Sequence, residues 1–255
     1  MSILNYQQQG TGPHVILIHG LLGSLDNLNM VARDLKAHYC VTSVDVRNHG
    51  DSFHDNTMAY SELAQDIIAL LDHLAIEQCT ILGHSMGGKI AMEVALTFPN
   101  RVAQLIVADI APVKYPAHHQ QILAGLQAID LTKITSRKDA DKQLSPYVKE
   151  VGVRQFLLRN LVLMNEQWQF KCNLHNIVEC YPQIMASYNG NSQYSGPALF
   201  IKGGNSNYIL PEHKNTITQL FPASKAKIIQ GAGHWLHAEK TVAFNKVVLD
   251  FIANN

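Results

Sequence analysis

From His14 onward the chain repeats one pattern: a short, almost unbroken apolar run ending near a glycine or an aspartate, then a longer stretch with apolar residues at helical spacing. "HVILIHG" (from His14), "YCVTSVDVRNHG" (from Tyr39), "CTILGHSMGG" (from Cys79) and "VAQLIVADIAP" (from Val102, ending at Pro112) supply the runs. "SELAQDIIALLDHLAI", with Ser61 as its cap, and "KIAMEVALTFP", stopped by Pro99, supply the helices. Strands that are apolar on both faces and separated by helices predict an α/β fold, with a mostly parallel central sheet and helices on both faces.

The rhythm stops at "APVKYPAHHQ", and from there to about Ser195 the chain is polar-rich and helix-like, with no strong strand. "PALFIKGG" and "AKIIQGAGH" restore the strand pattern, and "TVAFNKVVLDFIANN" closes as an amphipathic helix. The expected organisation is a core of residues 1–111 and 196–255, interrupted by a helical insertion over residues 112–195. No internal repeat or low-complexity linker disturbs it.

Composition narrows the field without choosing a chemistry. A chain of 255 residues, 47% hydrophobic and 16% charged, has the makings of one folded core with an insertion. Its formal net charge is zero, so bulk electrostatics recruits neither nucleic acid nor an anionic membrane. Cys40, Cys79, Cys172 and Cys180 form no C-x-x-C pair or zinc spacing, and two lie in apolar runs, as buried thiols in a reducing compartment do. "MSILNYQQQG" lacks the basic and apolar regions of a signal peptide, and no uncharged apolar run reaches transmembrane length. A cytoplasmic protein with no membrane partner is expected. Thirteen histidines raise the question of a metal, but there is no HExxH, and on a helix the His118–His119 pair would point its side chains apart. Neither metal nor cofactor is expected.

Chemistry enters with "GHSMGG" (Gly83 to Gly88), a G-x-S-x-G between an apolar strand and a helix. A serine on such a tight turn projects its hydroxyl above the sheet, and small flanking residues permit the strained backbone. The helix that follows offers N–H groups and a favourable dipole to developing negative charge. An acyl-transfer oxyanion needs two convergent donors. The main-chain N–H of Met86, just after Ser85, is one candidate, and that of Leu21 in "HGLLGS" is the other. "GAGHWLHAE" places His234 in a loop before the final helix, in the order serine then histidine. His237 competes as the base, but it lies at the start of that helix and is expected to pack or cap.

A neutral imidazole acting as base needs an acid on its second nitrogen. The loop "GGNSNY" after the "PALFIK" strand, where an acid is usual, holds Asn205, Ser206 and Asn207 instead. Asp109, in "VADIAPV", ends the strand after the nucleophile helix on the same rim, one strand nearer to Ser85. Asp45 also ends a strand, but on the far side of the nucleophile strand; ordering its own turn, with Arg47 as partner, suits it better. Asp109 is therefore the expected acid.

"HGLLGSLDN", "VDVRNHGDS", "GHSMGGK", "DIAPV", "GGNS" and "GAGHWLHAEKT" together resemble the α/β-hydrolase fold, and closely resemble the YbfF-type bacterial esterases. The resemblance runs from about residue 14 to the C-terminus. It implies a serine carboxylesterase with a helical cap, in which Ser85 is nucleophile, His234 base and Asp109 acid, and Leu21 and Met86 match the oxyanion positions. Ser206, standing where related enzymes carry the acid, is expected to support His234 or Asp109 with its hydroxyl. The implied partner is a small-molecule acyl ester, with acyl-CoA thioesters accepted by some family members, and the implied assembly is a monomer or homodimer. Within residues 112–195, nine Lys or Arg stand against six Asp or Glu, a mild bias toward an anionic substrate portion. Phe156, Leu157, Leu161 and Trp168 are candidates for the acyl site, with core packing the better expectation for most of them. The alternatives are another serine hydrolase (a thioesterase, perhydrolase or carbon–carbon bond hydrolase) and a non-catalytic ligand receptor.

Overall fold

The computed structural model describes residues 2–255, and among them nine strands form two sheets. They are β1 (Tyr6–Gln9), β2 (His14–Ile18), β3 (Cys40–Val44), β4 (Cys79–His84), β5 (Val102–Ala108), β6 (Leu161–Met164), β7 (Gln167–Phe170), β8 (Ala198–Gly203) and β9 (Ser224–Ile229). Seven make the main sheet in the order β1-β3-β2-β4-β5-β8-β9, parallel throughout except for the antiparallel β1–β3 pair. Every residue of β3 and β4 is buried, which is why these strands read as continuous apolar runs.

Helices cover both faces. On one, α1 (Asn29–Leu35) packs with the C-terminal helices; on the other lie α2 (Tyr60–His73) and α3 (Met86–Thr97). Between β5 and β8 come α4 (Gln120–Gln127), α5 (Arg137–Leu144), α6 (Val151–Leu157), the β6–β7 hairpin, α7 (Leu174–Glu179) and α8 (Tyr181–Ile184). Leu123, Leu126, Leu144, Leu157, Leu161 and Ile177 from this segment join the same buried apolar cluster as Ile67 of α2 and Ile90 of α3. The chain ends with α9 (Lys214–Leu220), α10 (Leu236–Glu239) and α11 (Thr241–Ala253), and Phe244 and Val248 of α11 pack under Val15, Leu82 and Ile106.

Several local expectations need correction. Helix α2 starts at Tyr60 with the extended Ala59 before it, so Ser61 lies inside the first turn and does not cap. The strand from Val102 ends at Ala108, because Asp109 turns the chain at φ 52°. His118 and His119 precede α4, where their rings lie side by side with centroids 4.0 Å apart. The insertion contains a hairpin, joined by Asn165 and Glu166 at φ 49° and 63°. Two consecutive positive φ values suit a two-residue hairpin turn, but the glycine that usually announces one is missing. Strand β1 escaped the apolar pattern because "YQQQ" is a polar edge strand, with Gln8 donating to Thr42 at 3.0 Å.

All four cysteines are free and buried. No helix among the described residues is long and apolar enough to cross a membrane. The carboxyl ends of β2, β4, β5 and β8 share one rim, and the candidate residues gather there.

Candidate active site

Ser85 occupies the turn between β4 and α3 at φ 54° and ψ −120°, a conformation that L-residues rarely adopt. The flanking glycines make this turn possible. A Cβ at Gly83 would stand 2.0 Å from the Gly87 carbonyl oxygen, and one at Gly87 would stand 2.2 Å from that of Ile18. The Ser85 N–H donates to the Ala108 carbonyl at 3.0 Å, which ties the turn to the end of β5.

The structure brings Ser85, His234 and Asp109 together. His234 Nε2 lies 3.0 Å from Ser85 Oγ, and His234 Nδ1 lies 2.8 Å from Asp109 Oδ2. Asp109 is fully buried, and a buried carboxylate needs donors. It accepts from the Gly203 N–H at Oδ1 (2.9 Å), and from both His234 and the Ser206 hydroxyl at Oδ2. Of the two options expected for Ser206, its hydroxyl thus serves Asp109. Because the carboxylate can only accept, His234 carries its proton on Nδ1 and leaves Nε2 free to receive one from Ser85. Asn205 is exposed, and its main-chain N–H is spent on Ala232.

His237 packs, as expected. It is buried in α10, its ring edge-on to His84 with centroids 4.5 Å apart. Burial, and then the nearby His234, push its pKa down to about 4.

Leu21 and Met86 flank Ser85 on the wall of one narrow cavity, together with Ile110, Tyr115, His119 and Tyr208. Neither main-chain N–H donates to any group among the described residues. The Leu21 loop is braced from beneath by two buried histidines. His49 Nε2 accepts from the Leu22 N–H (3.0 Å) and His19 Nε2 from the Val46 N–H (3.1 Å). Burial lowers their pKa values to about 3 and about 4, so both are neutral and able to accept.

Sequence reasoning did not single out His49, nor His84, whose Nε2–H donates to the His234 carbonyl at 2.8 Å and steadies the His234 loop. Both adjoin motif residues, in "RNHGDS" and "GHSMGG", and that adjacency was the available signal. Asp45 orders its turn as expected, accepting from the Leu25 and Asp51 N–H groups and the Asn5 amide. Its expected partner Arg47 turns instead to Asp66 (2.6 Å) and Asp55 (3.6 Å), because it reaches across to α2.

Lys89 and Tyr208 were also missed. The Lys89 ammonium, one helical turn beyond Ser85, donates to the carbonyls of Val113 (2.8 Å) and Ala186 (2.6 Å) and sits over the Tyr115 ring at 4.9 Å. Burial pushes its pKa down to about 7. Of the four acyl-site candidates, Leu157 and Leu161 are buried core residues. Phe156 and Trp168 are half-buried. Phe156 packs near Trp235, ring centroids 6.1 Å apart, and lines a cavity of about 480 Å³ with Leu22, Arg137, Arg159 and Lys171.

Comparison with known proteins agrees with this fold. The family model of the α/β hydrolase fold matches residues 13–241. The sn-1-specific diacylglycerol lipase ABHD11 of Mus musculus is 40% identical over 251 residues, 95% of this chain and 82% of that protein. Esterase YbfF of Escherichia coli K12 is 38% identical over 247 residues, 96% of this chain and 95% of that one. Among solved structures, a marine microorganism esterase with 38% identity superposes with a TM-score of 0.96, over 98% of this chain and 100% of its own.

Proposed function

The chain belongs to the α/β-hydrolase fold family, and we propose that it is a serine carboxylesterase in which Ser85, His234 and Asp109 carry the reaction. The observation that supports this most is the continuous contact from Ser85 Oγ through the His234 ring to Asp109. His234 Nε2 takes the Ser85 proton as Oγ adds to the ester carbonyl, and the N–H groups of Leu21 and Met86 receive the oxyanion. The tetrahedral intermediate collapses, His234 returns the proton to the departing alcohol, and an acyl-Ser85 ester remains. Water, deprotonated by His234, adds to that ester and releases the carboxylic acid. Asp109 keeps the imidazole in the required tautomer and stabilises the imidazolium. Residues 112–195 act as a cap over this site.

The substrate class is a neutral acyl ester. Relatives named esterase and sn-1-specific diacylglycerol lipase favour it. Five of the cap's nine cations are engaged within the protein. Lys133, Lys142, Arg154 and Lys171 are paired with carboxylates, and Arg137 is spent on the Leu158 and Leu161 carbonyls. Lys114, Lys138, Lys149 and Arg159 have no carboxylate partner among the described residues, and Arg159 shares a cavity with Arg137 and Lys171, so the acyl-CoA arm of the panel below is a direct test of the ester reading.

A panel of p-nitrophenyl esters and acyl-CoAs of graded chain length tests the class, with Ser85→Ala and a fluorophosphonate probe as controls. Ester turnover, labelling of Ser85 and a loss of about a thousandfold or more in Ser85→Ala are expected. Near-normal hydrolysis by Ser85→Ala would sink the assignment. Thioester turnover well above ester turnover would move the enzyme to the thioesterases, and no turnover with no labelling would favour a receptor.

A further inference from the structure

Tyr208 lies flat on the imidazole of His234, with ring centroids 3.7 Å apart and planes 14° from parallel. It comes from the same "GGNSNY" loop that supplies Ser206, and its N–H donates to the Ser206 hydroxyl oxygen at 3.2 Å. The loop thus holds His234 twice, through Ser206 and Asp109 at the edge of the ring and through Tyr208 on its face.

The far end of Tyr208 is held as well. Its hydroxyl lies 2.6 Å from His118 Nε2 and 3.3 Å from His119 Nε2, both on the chain leading into α4. The proton positions follow from the two ends of this chain of contacts. The Pro116 carbonyl, 2.8 Å from His118 Nδ1, can only accept, so His118 carries its proton there and Nε2 accepts from the Tyr208 hydroxyl. At the other end, the Tyr181 hydroxyl receives the His119 main-chain N–H at 2.9 Å and gives its own proton to His119 Nδ1, also at 2.9 Å. His119 therefore carries its proton on Nε2 and donates it to the Tyr208 oxygen. Burial keeps His119 neutral, with a pKa near 4. Each hydroxyl and imidazole in the chain has one donor and one acceptor role, and these roles do not conflict.

We propose that Tyr208 is a positioning residue that fixes the plane of His234, with His118 and His119 locking its ring in place. This rests on the reading of His234 as base. The lock matters most when Ser85 carries an acyl group, because Oγ is then no longer a hydroxyl partner for His234 Nε2. The stacked ring keeps the imidazole aimed while water is activated. Its electron-rich face also favours the imidazolium formed as protons move.

Steady-state kinetics with p-nitrophenyl butyrate on Tyr208→Leu, Tyr208→Phe and Ser85→Ala test this, with thermal melts beside them. Tyr208→Leu is expected to lower kcat about tenfold or more, as for a base slightly out of place, with KM unchanged or lowered, because slower release of the acyl group lowers kcat and KM together. Tyr208→Phe, which keeps the stack, should stay within about threefold of the parent in kcat. A raised KM with kcat intact would make Tyr208 a substrate contact and overturn the proposal, and so would a Phe variant as slow as the Leu variant. If Tyr208→Leu does not fold, the double variant His118→Ala and His119→Ala removes the lock from the cap side. Its kcat should fall with no rise in KM, and an unchanged kcat overturns the proposal. An active Ser85→Ala would mean that the base assignment itself has failed. An inert Ser85→Ala beside a fully active Tyr208→Leu removes only the role of Tyr208.

Discussion

The Ser206 hydroxyl and the His234 imidazole donate to one and the same oxygen, Oδ2 of Asp109. The loop after β8 holds no acid, and its Ser206 supplies a donor to the carboxylate one strand away. Asp109→Asn replaces a pure acceptor by an amide whose N–H₂ must face either the Gly203 N–H or the Ser206 and His234 donors, and either way the imidazole loses its counter-charge. A fall in kcat of about a thousandfold or more is expected. Ser206→Ala removes one of three hydrogen bonds to a charged group, worth about 1.5–3 kcal/mol, and should cost roughly ten- to a hundredfold. Kinetics on both variants decide the matter: a mild Asp109→Asn beside a crippled Ser206→Ala would refute Asp109 as the acid.

Gly83→Ala should be poorly tolerated although the change is one methyl group. Its Cβ would meet the Gly87 carbonyl oxygen at 2.0 Å, and both partners are main chain in a strained turn. A loss of about 3 kcal/mol or more in urea unfolding is expected, with fluorophosphonate labelling falling in parallel. Parent-like stability and labelling would show that the turn can relax.

Lys89→Met tests the ammonium that ties the Val113 and Ala186 carbonyls to α3. The methionine fills the space, but the Val113 and Ala186 carbonyls lose their Lys89 donor in a half-buried setting. The expected destabilisation is about 1–3 kcal/mol per stranded group, read as a lower urea midpoint. An unchanged midpoint would mean that water replaces the ammonium at no cost.

Stability should fall as the medium becomes acidic well before the carboxylates titrate. His19, His49 and His237 are held by burial at pKa values of about 4, 3 and 4. An unfolded chain protonates its histidines near 6.5. Between about pH 6.5 and 4 the unfolded state therefore binds more protons than the native state, and unfolding becomes easier as pH falls. The urea midpoint at pH 5 should lie below that at pH 7.5. His237→Leu should flatten this dependence at little cost at pH 7.5, since His237 Nδ1 has no hydrogen-bond partner among the described residues. A slope identical to the parent's would exclude His237 from the effect.

The parts of this molecule legible in the sequence are those whose cause is local. Strands buried on both faces, such as β4, must be apolar throughout, and the Ser85 turn must have its glycines. Asp109 and His234 could be singled out because both follow strands of one parallel sheet and so reach one rim. Strand β1 stayed hidden because an edge strand needs main-chain pairing more than apolar side chains. Lys89 and Tyr208 stayed hidden for a different reason. The carbonyls that hold Lys89 lie 24 and 97 residues away, and Tyr208 meets His118 across 90 residues. Neither role leaves a mark in the residues beside it.

Ser85 and Asp109 stand on one strand–helix–strand unit, β4–α3–β5, whereas His234 arrives after β9. The exposed stretch of residues 189–193 runs between these two parts of the chain. Severing it would leave the proposed nucleophile and acid on one fragment. The base would go with the other, along with the Gly203 N–H and the Ser206 hydroxyl that hold the acid. Neither fragment could hydrolyse an ester alone, and activity would return only as β8 docks again beside β5. An acid seated after β8 would have travelled with the base; seated on β5, it makes this fold divisible into two silent halves whose reunion reports itself by catalysis.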